Sequence, residues 1–412
     1  MENRYIHSLN ALRGVAALCV FFFHAPTLLG QHGLQLQGMV AEIFVAVFSK
    51  GYLAVDLFFI LSGFVLMHVY GDKFSKSFGE PRLGQALTRQ GYWSFIQNRL
   101  ARIYPMHLLS LLVLLVWHLL LIISGSKFIG LFQLPFLPEK SVFSLATNLL
   151  LIQSWHLHPS TTWNSPAWSI SAEWFAYLLA PFLIAGLGRF FSAEKSWSFM
   201  RALGLYVVFA IALVCVYSLR QTLDVTYDFG VPRMLLEFLM GLCLYRIYRA
   251  IPPQRHQFMI AAVFWIALFF ECVGGLLKLP DVALIVVHSL LILSSALSCH
   301  RLEQVLSAKP LFYFGEISYS FYLLHGIAMQ LVLMALLMAF PHISQLYCWL
   351  SLLLSLAFCV TLSHLAYRYV ECPAREWLKK AFQTKWRLRL FYRLPVDPKP
   401  LEQLQPVPQQ VF

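Results

Sequence analysis

Arg13 and His24 stand eleven residues apart in LNALRGVAALCVFFFHA, an apolar segment that otherwise reads as a membrane-crossing helix. On an α-helix that spacing is roughly 16 Å of rise and brings the two side chains within about 20° of one face. An ionisable side chain at such depth costs enough free energy to need a reason. A cation near the membrane edge suits an anionic ligand, and an imidazole farther in can move protons near neutral pH. The plainer alternative is an interfacial arginine that snorkels, with a histidine hydrogen-bonded inside the bundle.

Four other segments carry polar residues of the same kind. In GYLAVDLFFILSGFVL, Asp56 lies about five residues, or roughly 7 Å, below the expected outer surface. It is either a helix N-terminal acid held by the dipole or a charge that orients His24 or binds a polar acceptor; Gly63 reads as a close helix-packing site. In WNSPAWSISAEWFAY, Ser165 and Pro166 form a cap and first-turn pair, and Glu173 falls roughly 10 Å below the outer edge, where it could meet His24. In GEISYSFYLLHGIAMQLV, Ser318, Tyr322 and His325 sit at i, i+4 and i+7 on one helical face. The reading therefore places Asp56, His24, Glu173 and His325 in one layer. FIQNRLARIYP holds Arg99 and Arg102 three residues apart, able to grip phosphates bidentately or simply to anchor a helix end. WHLHPSTTWN, with Trp155, His156, His158 and Trp163, is a weak metal signal, and no metal site is assigned. No Gly-rich phosphate loop, Rossmann fingerprint, HExxH or GxSxG element occurs.

Composition defines what must position these residues. The 412 residues are 59% hydrophobic and only 12% charged, with apolar runs near the ~20 residues that cross ~30 Å of hydrocarbon. Ten spans are expected, at about 9–30, 51–71, 103–124, 166–187, 201–219, 231–248, 257–277, 281–299, 312–339 and 346–369. The stretch 39–49 is too short to span and is expected at the interface or lining a cavity. The first run is read as a retained helix, not a removed signal peptide. The net charge of +12 falls largely on one side if the N-terminus is cytoplasmic: Lys73, Lys76, Arg82, Arg89, Arg99 and Arg102, then Arg189, Lys195 and Arg201, then Arg246, Arg249 and Arg255, then Arg301 and Lys309, and the group from Arg375 to Arg393. Lys50, Lys127, Lys140, Arg220, Arg233 and Lys278 are left for outer loops. That asymmetry reports orientation with both termini inside, rather than a nucleic-acid partner.

The eight cysteines lie in or beside apolar runs without paired spacing and read as packing residues. The expected division is a transmembrane domain over residues 1–378 and a cytoplasmic tail over 379–412. That tail opens basic and aromatic and ends in a Pro/Gln-rich stretch expected to be disordered.

Taken in order, LNALRGVAALCVFFFHA, GYLAVDLFFILSGFVL, RLARIYP, WSISAEWFAY and GEISYSFYLLH resemble the membrane-bound acyltransferase-3 family, over about residues 5–378. The resemblance implies transfer of acyl groups, often acetyl, from cytoplasmic acyl-CoA to hydroxyls of carbohydrates or other acceptors, in a bacterial cytoplasmic membrane. It implies no bound cofactor, with acyl-CoA (acetyl-CoA by default) as co-substrate. By the same resemblance Arg13 and His24 are the essential pair, Glu173 a catalytic partner, and Arg99 and Arg102 join Arg13 at the donor site. Ser318, Tyr319 and His325 belong to the ninth-span motif. Two departures stand out: many fused members read HWP where this chain has His325-Gly326-Ile327, and carry a further SGNH-type domain. The chain is therefore expected to act as a stand-alone transferase on a carbohydrate or lipid-linked saccharide, with Asp56 or Glu173 fixing the His24 tautomer. A secondary transporter or flippase of lipid-linked saccharide is the alternative, although paired broken helices and repeated halves are not evident. A non-catalytic scaffold is a third, and acyl-CoA turnover separates the first from both.

Overall fold

The computed structural model describes residues 6–75, 88–124, 140–191, 195–253, 256–298, 300–340 and 345–391. Lys76, Arg82, Lys127, Arg255, Arg393, Cys299 and the Pro/Gln-rich tail lie outside these. The described chain is an all-α polytopic membrane protein. Its helices are α1 (Ser8–Gln31), α2 (Met39–Phe48), α3 (Ala54–Ser75), α4 (Arg89–Ser124), α5 (Val142–Leu149), α6 (Trp168–Phe190), α7 (Lys195–Arg220), α8 (Gly230–Ala250), α9 (Gln257–Val273), α10 (Asp281–Ala296), α11 (His300–Leu306), α12 (Lys309–Ala339), α13 (Gln345–Ala366) and α14 (Cys372–Phe391). A π-helical turn, Tyr367–Glu371, joins the last two.

Among the described residues seven segments are long and apolar enough to cross a membrane, and α9 and α10 are shorter apolar helices. The 21-residue α8 is less apolar because it carries Arg233, Glu237, Arg246 and Arg249. The stretch expected at the interface forms a separate short helix, α2, with Met39, Val40 and Ile43 exposed. Phe44 and Phe48 pack it against Phe22 of α1, at ring distances of 5.7 and 4.8 Å.

Two helix pairs set the frame, and in each, glycine lets the backbones close. A Cβ on Gly315 would lie 2.1 Å from the Asn10 carbonyl oxygen, and one on Gly14 would meet the Phe314 ring, so α1 and α12 touch backbone to backbone. A Cβ on Gly63 would lie 2.0 Å from the Phe238 carbonyl oxygen, and one on Gly241 the same distance from that of Ile60, which joins α3 to α8 in the same way. Between helices in lipid, such close van der Waals contact substitutes for a hydrophobic driving force. The pairing of α1 with α12 brings the Arg13–His24 face against the ninth-span motif. Phe21 and Phe321, both fully buried at 5.7 Å, seal that contact. The larger core cluster is built from α1, α3, α6, α8 and α10 with the middle of α12, and a second one joins α1, α12 and α13.

Candidate active site

Cations collect at the end of the bundle where α1 begins. Asn10 links Arg13 to α12: it accepts from Arg13 Nη1 at 3.4 Å and donates to Glu316 Oε1 at 2.5 Å. Tyr367 of the π-helical turn donates to the other Glu316 oxygen at 2.9 Å. The turn also presents buried Glu371, which accepts from Ser320 Oγ at 2.6 Å and feels the charges of Arg102, Arg375 and Arg13. Lys379, one turn beyond Arg375 on α14, feels Arg375, Arg99 and Arg102. Arg99 rests over the rings of Tyr70, Phe95 and Tyr177 at 5.7, 5.9 and 5.9 Å, and its Nε is buried without a hydrogen-bond partner. Five cations from three helices thus share one region with Glu371 and Glu316. A buried guanidinium donor left open in such a place favours an anion that completes it.

Farther along α1 and α12, His24 and His325 stack, ring centroids 5.3 Å apart and 25° from parallel. His325 is 1% exposed, and its Nδ1 lies 2.6 Å from the Tyr322 carbonyl oxygen. A carbonyl can only accept, so Nδ1 carries the proton and Nε2 keeps its lone pair. Both histidines line a cleft of about 40 Å³, shared with Leu114, Trp163, Asn164 and Gln330 among others. The loop forming its outer wall is fixed by polar contacts. Trp163 has left-handed backbone, φ +47°, which a bulky residue adopts only when its surroundings compel it. Its Nε1 donates to Ser144 Oγ at 3.0 Å, within the capping box that starts α5, and Asn164 Nδ2 reaches Ser110 Oγ and the Leu323 carbonyl, each at 3.1 Å. Beside this wall stands Lys140, whose Nζ is 3.5 Å from His118 Nδ1 and 5.8 Å from the Trp163 ring; burial lowers its pKa to about 8.

Between the cations and the histidines runs a polar seam on α12. Tyr319 donates to the Ile103 carbonyl at 2.6 Å and lies within electrostatic reach of Glu371, Glu173, Tyr177 and Arg102. Tyr322 donates to the Pro166 carbonyl at 3.0 Å and contacts Ser169 Oγ at 2.9 Å. Ser318 donates to the Gly315 carbonyl at 2.7 Å, one turn back on its own helix. From Glu316 to Gln330 the seam rises about 21 Å.

Glu173 corrects one expectation. It accepts from Ser62 at 3.0 Å and from Tyr177 at 2.5 Å, and Tyr177 is the residue over which Arg99 sits. Ser169 is level with Tyr322; Glu173 lies four residues beyond it on α6, and His325 three residues the opposite way on α12. The carboxylate is therefore about 10 Å nearer the cation cluster than the histidines are, rather than in their layer. The one-layer expectation fails because it measured depth from apolar run ends, whereas α6 and α4 are offset within the bundle.

Asp56 corrects another. It is fully buried and bound at both oxygens by Arg233, with Nε to Oδ1 at 2.6 Å and Nη2 to Oδ2. Arg233, assigned above to an outer loop, is itself fully buried, donates to the Val225 carbonyl at 3.1 Å and lies over the Trp168 ring at 5.4 Å. The carboxylate is taken up by this partner, so the expectation that it fixes the His24 tautomer is withdrawn. His158 and Trp155 are likewise engaged, with Thr147 Oγ1 at 2.8 Å and the Ser171 carbonyl at 3.1 Å.

Five residues of the site escaped the sequence reading. Arg375, Lys379 and Glu371 follow the last apolar run and look like a surface anchor; the π-helical turn, a form frequent at functional sites, was the available clue to a return into the bundle. Glu316 and Gln330 stand inside GEISYSFYLLHGIAMQLV but carry no role in the sequence reading, and a polar count along the whole of α12 would have found both.

Helices with buried ionisable groups, a cation cluster at one end and an imidazole pair beside a cleft define a membrane-embedded transferase class. The family of the acyltransferase domain matches residues 6–364, and the chain belongs to that acyltransferase family. It is accordingly an enzyme that transfers acyl groups. Among its relatives, Acyltransferase MdmB of Streptomyces mycarofaciens is 28% identical over 338 residues, 77% of each chain. Protein 2 in the picA locus of Rhizobium radiobacter is 32% identical over 170 residues, 40% of this chain and 75% of that protein. No solved structure matches.

Proposed function

We propose that the protein moves a short acyl group from cytoplasmic acyl-CoA, acetyl-CoA by default, to a hydroxyl of a carbohydrate or lipid-linked saccharide of the cell envelope, within the bacterial cytoplasmic membrane. The observation that carries this reading is the polar seam joining two unlike ends: a cation cluster suited to phosphates and an imidazole pair suited to proton transfer. The donor's phosphates meet Arg13, Arg99 and Arg102, with Arg375 and Lys379 completing the cationic wall. Roughly 16 Å separates Arg13 from His24 along α1, a distance an extended pantetheine arm covers. His24 takes the proton of the acceptor hydroxyl as its oxygen bonds to the thioester carbonyl carbon. The carbon–sulfur bond then breaks, and the imidazolium returns the proton to the leaving thiolate. His325, held by Tyr322 as a neutral imidazole, stacks on His24 and keeps its plane. Glu173 acts at the donor end, where Tyr177 and Arg99 surround it.

The test is release of CoA thiol from acetyl-CoA by purified protein in liposomes, with a cell-envelope glycan extract inside or outside. Release that needs both glycan and His24 supports transfer; no release with any short acyl-CoA defeats the reading.

A further inference from the structure

The cleft beside the histidines is unbalanced in its hydrogen-bonding groups. Among its side chains other than His24, the N–H or O–H groups of Trp163, Asn164, Ser165 and His325 already have protein partners. Trp163 Nε1 donates to Ser144, Asn164 Nδ2 to Ser110 and Leu323, Ser165 Oγ to Thr161 Oγ1 at 3.3 Å, and His325 Nδ1 to the Tyr322 carbonyl. Gln330 Nε2 lies 3.2 Å from His32 Nε2. What these groups leave open are acceptors: the His325 Nε2 lone pair and, above all, Gln330 Oε1, which is buried with no hydrogen-bond partner on a residue 3% exposed. A buried amide oxygen without a donor is a cost the fold carries unless a ligand relieves it. The remaining walls, Leu114, Trp163, Pro166 and Ile327, cannot supply that donor: three are apolar, and the indole N–H of Trp163 is already used.

We propose that Gln330 is the acceptor-orienting residue of the site, its Oε1 receiving a hydrogen bond from a second hydroxyl of the acceptor while the reacting hydroxyl lies at the histidine pair. This rests on the transferase reading above and sharpens it, because it requires an acceptor with at least two hydroxyls. Gln330 lies five residues, about 7.5 Å of rise, beyond His325 on α12. A cleft lined by open acceptors rewards hydroxyl donors and penalises carboxylates and phosphates, whose oxygens would face lone pairs.

The experiment compares 1,2-propanediol with 1-propanol as acceptors for acetyl-CoA in liposomes, reading product ester and CoA thiol together. Wild-type protein is expected to favour the diol by at least about tenfold in kcat/KM, since a site built around a hydroxyl rejects the analogue lacking it. Gln330→Leu is expected to erase that preference while leaving the KM for acetyl-CoA unchanged. Gln330→Glu, which retains acceptor oxygens, should restore part of it and guards against a folding artefact, with melting temperature measured on both. Equal use of diol and monool by the wild type, with transfer still dependent on His24, would overturn the assignment and leave the transferase reading intact. Absence of any His24-dependent CoA release would overturn both.

Discussion

Two groups of buried charge lie within a few turns of each other in this bundle, and they are built in opposite ways. On α3 and α8, Asp56 and Arg233 spend themselves on one another: both carboxylate oxygens are bound, both residues are fully buried, and what remains of the guanidinium goes to a carbonyl, an indole face and the buried Glu237 carboxyl 3.9 Å away. On α1, α4, α12 and α14 the charges are gathered into one cluster, and single polar atoms of Arg99 and His325 stay open beside it. Arg99 sits among three rings with a bare Nε, five cations gather about Glu371, Glu316 and Glu376, and His325 keeps an open lone pair toward a cleft. A buried ion pair contributes to stability chiefly when one partner is removed, because the survivor is then an uncompensated charge. A buried guanidinium N–H left open, as on Arg99, costs stability while it waits for a ligand. The difference separates the charges that hold the bundle together from those that work in it.

That contrast is most sharply tested at its two extremes. His24→Ala is expected to lower acyl transfer by about 10²–10⁴-fold, the range for removing a general base, with yield and melting temperature unchanged. A variant that keeps near wild-type turnover would place the base elsewhere. Asp56→Ala is expected to do the reverse and cost about 3–5 kcal/mol of stability by stranding Arg233. The triple variant Asp56→Leu/Arg233→Met/Glu237→Leu, which removes the pair together with the buried Glu237 beside it, should regain most of that stability along with the activity. If the triple variant folds but stays inactive, Asp56 belongs with the working charges after all.

Arg99→Ala falls between these. Loss of one charge-assisted contact to a phosphate, about 1.5–3 kcal/mol, predicts a KM for acetyl-CoA raised roughly 10–100-fold with little change in kcat. The KM of the variant should rise with ionic strength less steeply than that of the wild type, so the gap between them narrows at high salt, since one screened contact is already missing. An unchanged KM would show that the ring-bound guanidinium is a packing group, as the Asp56–Arg233 pair is.

How much of this was legible in the sequence follows the same division. The Arg13–His24 face was readable because helical periodicity is local, and α1 keeps it without interruption through Pro26. The Arg99–Arg102 pair was readable for the same reason. Arg233 was misplaced because hydropathy assigns an arginine near a run end to water, and only the tertiary fold reveals the aspartate that neutralises it. Glu173 was assigned the wrong depth since run ends do not fix how far one helix slides along its neighbour. The contribution of α14 was hidden by its composition: past the last apolar run its basic residues read as a membrane-surface anchor, yet the π-helical turn sends Glu371 back against Ser320 and α14 continues through residue 378 without a break. Local pattern carries which residues are unusual, while pairing decides what each one does.

Lys140 gives the smallest and finest test, because it stands between the two kinds of charge. Its ammonium is partly buried at the cleft wall beside His118 and Trp163, and burial lowers its pKa from the ordinary 10.5 to about 8. In the unfolded chain the amine returns to its ordinary value, so between pH 8 and 10.5 the unfolded state binds more protons than the folded one. Stability must then rise with pH across that window, whereas below about pH 8 the cost of burying the ammonium is present in full. Melting temperatures of the detergent-solubilised protein at pH 7, 8, 9 and 10 should show this rise, and Lys140→Met should flatten it relative to the wild type while raising the value at pH 7. A variant curve parallel to the wild type would mean that Lys140 is solvated, and would move it out of the cleft wall.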